Sequence, residues 1–158
     1  MKPIFIFITV CLSSIFSPLE EVRKAYAEAS SSKENAELFL KNVAKITANI
    51  PAAEGYKAVS DILQAKFATD KNKRKELLIK GTTALDDAIQ KHPTDYELRL
   101  IRLSVQEHTP KALKYQANIE EDAKFLLENY TTQKTDLQKM ASEYAKKSKK
   151  INLLIYGK

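Results

Sequence analysis

The stretch "GTTALDDAIQKHPTDYELRLIRLSVQ", Gly81 to Gln106, decides the reading of this chain. Leu85, Ala88 and Ile89 recur at helical spacing after Gly81, and the run stops at His92-Pro93. Thr94 and Glu97 then have the spacing of a capping box, which opens a second helix. At about 100° per residue, Leu98, Ile101 and Val105 share one side of that helix. Tyr96, Leu100 and Leu103 lie toward the other, with Arg99, Arg102 and Gln106 in a polar strip between them. A helix apolar on two sides packs against two neighbours and belongs at the centre of a fold.

Arginines on such a helix need carboxylate partners when they are drawn inward. Glu120, Glu121 and Asp122, at the start of a later helix, are the candidates. Two arginines one turn apart could equally hold a ligand carboxylate or phosphate. Arg99, Arg102 and Gln106 are therefore the candidate binding residues.

Outward from this centre, the pattern stays helical. "SPLE" places Ser17 as a cap with Pro18 in the first turn, and Ser31 with Glu34 has the spacing of a second capping box. Phe39, Val43 and Ile46 continue the second helix; Tyr56, Val59, Leu63 and Phe67 mark the third, begun at Pro51. "TDKNKRKE" leads into the fourth, where Gly81 costs about 1 kcal/mol relative to Ala and so predicts a close helix crossing. Asn118 and Glu121 start another helix after an irregular stretch, and Leu137, Met140, Ala141 and Tyr144 line a last one with a narrow apolar stripe. Three glycines in 158 residues leave little for β-hairpin turns. The expected fold is all-α: six to seven antiparallel helices in one domain over residues 18–150, joined by short connectors.

The segment resembles the tetratricopeptide repeat. Gly81, Leu85, Ala88 and Pro93 match the spacing of the small residue, large apolar residue, Ala and Pro in that repeat's second helix. The resemblance implies packing in helical hairpins and a groove for a peptide. Arg99 and Arg102 stand where the next repeat would carry large apolar residues, and no second copy follows at the period of about 34 residues.

The ends carry a different message. Lys2 followed by the uncharged run "PIFIFITVCLSSIFS" reads as a secretory signal peptide over residues 1–17, so the protein is expected in the periplasm or outside the cell; the alternative is an uncleaved membrane anchor. The one cysteine, Cys11, lies in that segment, so the expected mature chain has no disulfide and no Cys-based metal site. Residues 151–158 form an apolar tail expected to dock on the core.

Charge narrows the function. Of the net charge of +6, residues 131–158 hold 7 basic and 2 acidic side chains, while residues 18–130 balance at 18 of each. A nucleic-acid binder would carry its basic face on the domain itself, so none is expected. The two histidines, His92 and His108, stand at helix ends, where capping is their ordinary role. No zinc motif, phosphate loop or nucleophile elbow is present, which predicts no catalytic residues, no metal and no cofactor. The expected function is that of an exported, non-enzymatic interaction module with a protein or peptide partner. The alternatives are a small anionic-ligand binder centred on Arg99 and Arg102, and a membrane-surface protein held by Lys146, Lys147, Lys149 and Lys150.

Overall fold

The computed structural model describes residues 17–151. Residues 1–16 of the expected signal peptide, with Cys11, and the tail beyond Ile151 lie outside the described residues. Within them the fold is all-α, as expected, with seven α-helices: α1 Pro18–Tyr26, α2 Lys33–Val43, α3 Pro51–Phe67, α4 Lys71–Lys91, α5 Tyr96–His108, α6 Ile119–Glu128 and α7 Thr135–Ala145. Short 3-10 turns interrupt the connectors at Lys111–Leu113 and Tyr130–Thr132. A further helical turn begins at residue 149. No helix among the described residues is long and apolar enough to cross a membrane.

Capping explains most of the starts. Ser17 accepts from the backbone N–H of Glu20 at 3.3 Å, with Pro18 next, as the sequence predicts. Two other caps lie one residue later than predicted. Ser32, not Ser31, caps α2 by accepting from Asn35 N at 3.2 Å. The Ser31 hydroxyl is occupied instead, donating to Glu28 O at the end of the preceding turn. Asp95, not Thr94, caps α5, accepting from Leu98 N at 2.8 Å. A carboxylate at a helix start is a charge-assisted acceptor, stronger than a threonine hydroxyl. Asp70 does the same for α4, accepting from Lys73 N at 2.7 Å.

The most extensive helix contact is between α3 and α4. Lys91 reaches Glu54 at 3.3 Å and Lys80 reaches Asp61 at 3.1 Å, so the order of partners reverses along the two helices and the pair is antiparallel. Gly81 lies in the seam. A Cβ there would come within 2.6 Å of Ile62 Cγ1 and 2.7 Å of the Ala58 carbonyl oxygen. The predicted close crossing is present, and it is a backbone approach that a side chain could not relieve by rotating.

The core is in two parts, one on each apolar side of α5. Leu98, Ile101 and Val105 join a cluster built from α1 to α4, in which Phe39, Tyr56 and Leu85 are fully buried. At its centre the rings of Tyr26, Phe39 and Tyr56 meet pairwise at 5.5–6.0 Å between centroids. Such contacts add about 0.5–1.5 kcal/mol each beyond area burial. Tyr96, Leu100 and Leu103 face a second cluster with Ala123 and Leu126 of α6 and Ala141 and Ala145 of α7. Ile151 is buried in this second cluster. Met140 packs against both clusters.

Gly81→Ala tests the seam. Alanine favours helix by about 1 kcal/mol, but overpacking against fixed backbone costs about 1–3 kcal/mol. Urea unfolding is expected to show a net loss of about 1 kcal/mol or more, and a variant as stable as the parent would contradict the close crossing.

Candidate functional site

The polar strip of α5 faces α6 and α4. Arg102 donates from Nε and NH2 to the two oxygens of Asp122 at 2.7 and 2.8 Å. Arg99 donates from NH1 to Asp122 at 2.8 Å and to Glu121 at 2.5 Å, and from Nε to the Pro93 carbonyl at 3.1 Å. Its guanidinium also lies 5.1 Å from the centroid of the Phe125 ring. Asp122 is wholly buried, and the side chains of Arg99 and Arg102 are only 11% and 7% exposed. Asp86 of α4 completes the cluster at 3.5 Å from Arg102 NH1 and accepts from the Tyr115 hydroxyl at 3.0 Å.

Electrostatics follow from this geometry. Burial works against the charge of Arg102, but the hydrogen bonds and field of Asp122 outweigh it, so its pKa is raised; Arg99 behaves alike. The hydrogen bond from Arg99 holds the Glu121 carboxyl below its ordinary range. Two guanidinium groups meet three carboxylates, so the cluster carries no positive excess for an external anion.

Gln106, the third predicted residue, is buried at the end of the strip. It donates from Nε2 to Asn118 Oδ1 at 3.3 Å, while its own Oε1 makes no hydrogen bond among the described residues. Asn118 takes that bond instead of capping α6 with its side chain. The two histidines stand where their helices end. His92 is the C-terminal cap of α4, and the Nδ1 of His108 lies 2.7 Å from the Ser104 carbonyl.

A second polar strip lies on the opposite side of α5, where the sequence pattern did not point. Glu97 is buried, and Arg23 of α1 donates to both its oxygens, at 2.7 and 2.6 Å. Tyr56 of α3 donates to the same carboxylate at 2.7 Å. Arg23 extends to Asp136 of α7 at 2.5 Å, so one side chain ties α1 to α5 and α7. Hydrogen bonding to Glu97 raises the Arg23 pKa, and burial drives the Tyr56 hydroxyl well above its ordinary value. Two turns further on, Ser104 meets the Tyr26 hydroxyl. The signal was the seven-residue spacing of Glu97 and Ser104, hidden because Glu97 also fits a capping box.

These clusters join helices to one another. The surface offers a different feature, a groove between α1 and α2 of about 590 Å³. Glu21, Lys24, Ala25 and Glu28 form one wall, and Asn35, Leu38 and Asn42 form the other. Both sets follow helical spacing, so the groove runs along the two helices. Leu38 is 52% exposed at its edge. Among the described residues no group of three or more His, Cys, Asp or Glu side chains is placed to hold a metal ion.

Asp122→Ala would leave two guanidinium groups drawn in without their shared partner, and a loss of about 3–5 kcal/mol is expected in denaturant unfolding. The triple variant Arg99→Met/Arg102→Met/Asp122→Leu, which replaces both cations and their shared counter-ion by apolar volume, is expected to lose markedly less. Equal losses in the two would contradict internal pairing as the role of the cluster. Comparison with known proteins finds no matching family model, no similar curated protein and no similar solved structure.

Proposed function

We propose that the chain is an exported, non-enzymatic helical interaction module that binds a protein or peptide partner in the groove between α1 and α2. The observation that carries this reading is the groove itself. Its walls set Ala25 and Leu38 among carboxylate, ammonium and amide groups, which gives a bound segment one apolar seat flanked by hydrogen-bonding partners. Its elongated form along two helices suits an amphipathic segment laid between them. Export rests on the signal-like residues 1–17. The burial of Gly81, Leu85 and Ala88 on the α3-facing side of α4 is consistent with the tetratricopeptide-like hairpin.

The alternatives have less behind them. An anionic ligand at Arg99 and Arg102 would have to displace Asp122 and Glu121, which already take their donors. A membrane-surface role would use the lysines near the C-terminus, yet Lys146, Lys147 and Lys150 each meet a glutamate: Glu143, Glu28 and Glu120. Exposed pairs of this kind are weak, so they dilute the attraction to anionic lipid without abolishing it.

Lysine cross-linking of the mature protein in its native envelope, read by mass spectrometry, tests the proposal. Partner peptides are expected on Lys24, in the groove wall. Leu38→Glu is expected to weaken capture of that partner at least about tenfold, a loss of ~1.4 kcal/mol. Ile79→Glu, at an equally exposed apolar residue on α4, is the control and leaves capture unchanged. Capture that survives Leu38→Glu would overturn the assignment of the groove.

A further inference from the structure

The connector between α5 and α6 differs from the others. Ten residues, Thr109 to Asn118, separate the two helices, the longest stretch between α-helices among the described residues. Its ends are tied down. Thr109 donates to the Val105 carbonyl, Tyr115 to Asp86, Gln116 back to the Thr109 carbonyl, and Asn118 accepts from Gln106. The middle is not. Every residue from Pro110 to Lys114 is exposed, and the hydrogen bonds of this stretch are those of its own 3-10 turn, Leu113 N to Pro110 O and Lys114 N to Lys111 O. Leu113 stands 49% exposed, unusual for a leucine held by packing. Lys114 has φ of 53°, a left-handed conformation that is strained for a non-glycine residue. Opening the turn releases that strain and breaks the turn's own two hydrogen bonds.

This is the geometry a protease needs: an exposed segment able to become extended without unfolding its neighbours. Two lysines lie within it. Lys114 is followed by Tyr115, which is anchored on Asp86, so the bond after Lys114 is restrained on one side. The bond after Lys111 has exposed residues on both sides. The lysines and arginine in the first turn of α4 are also exposed, but cleavage there requires unwinding a helix capped by Asp70.

Contacts away from the connector hold the two sides of such a cut together. The apolar face of α5, Tyr96, Leu100 and Leu103, is covered by α6 and α7. The bonds from Arg99 and Arg102 to Asp122, from Arg23 to Asp136 and from Tyr144 to Glu107 all cross the same boundary. None of them involves residues 110–114.

We propose that the Lys111–Ala112 bond is a cleavage site for endopeptidases that select a basic residue, and that the cut chain stays one folded particle. Water is consumed in the step: the amide breaks, Lys111 gains a carboxylate and Ala112 an ammonium group. Limited digestion of the native full chain with trypsin, followed by mass analysis and N-terminal sequencing, tests this. The first new N-terminus is expected at Ala112, with both fragments eluting together in gel filtration and helical circular dichroism retained. Lys111→Gln is expected to slow the first cut at least about tenfold. A first cut in the basic turn of α4 or elsewhere, or fragments that separate under native conditions, would overturn the proposal.

Discussion

The centre of this protein is a helix that has to satisfy opposite demands on its four sides. α5 is apolar on two opposed faces, and each face closes a separate cluster of the core. The sides between them are polar, and burial of the whole helix carries those polar groups inward as well. Isolated charges in that position would cost several kcal/mol each after relaxation. The fold meets this by giving each strip its own counter-charge: Asp122 for Arg99 and Arg102 on one side, Arg23 for Glu97 on the other. The sign alternates, so the helix presents cations to α6 and an anion to α1.

This arrangement sets the register of the surrounding helices. Ion pairs buried in this way add little net stability compared with apolar packing, but they penalise any alternative in which one partner is lost. Arg23 fixes α1 against α5 and α7. Asp122 and Asp86 fix α6 and α4 against the opposite side. The terminal turn of α5 adds Glu107, which accepts from Tyr144 of α7 and, at 3.1 Å, from the backbone N–H of Lys150. The hydrophobic clusters supply the bulk of the driving force, and the polar contacts select which helix meets which. Among the buried side-chain polar groups of the described residues, Gln106 Oε1 stands apart in making no hydrogen bond.

The sequence was most legible where periodicity alone decides. The two apolar sides of α5 and the strip of Arg99, Arg102 and Gln106 fall where a regular helix puts them, because a straight helix leaves no freedom about which residues share a side. Gly81 was legible for a related reason: a residue poor for helix in mid-helix has to be explained by something outside it. Caps were legible only to within one residue. Ser31 and Ser32, or Thr94 and Asp95, offer adjacent hydroxyl or carboxylate acceptors, and the choice depends on what the neighbouring turn already uses. Glu97 was missed because its partners, Arg23 and Tyr56, are 74 and 41 residues away. The groove was not legible at all, since it depends on the angle at which α1 meets α2.

The claim that α5 organises the fold is tested most directly by native-state hydrogen exchange, resolved by residue. If α5 is the wall shared by both halves of the core, the amides from Leu98 to Val105 open only in global unfolding and are the slowest in the protein. The amides of α1 and of α6–α7 then exchange faster, through partial openings that leave α5 packed on the other half. Exchange of the α5 amides ahead of those in the α3–α4 pair would contradict this account, since it would make α5 an appendage of the core and not its centre.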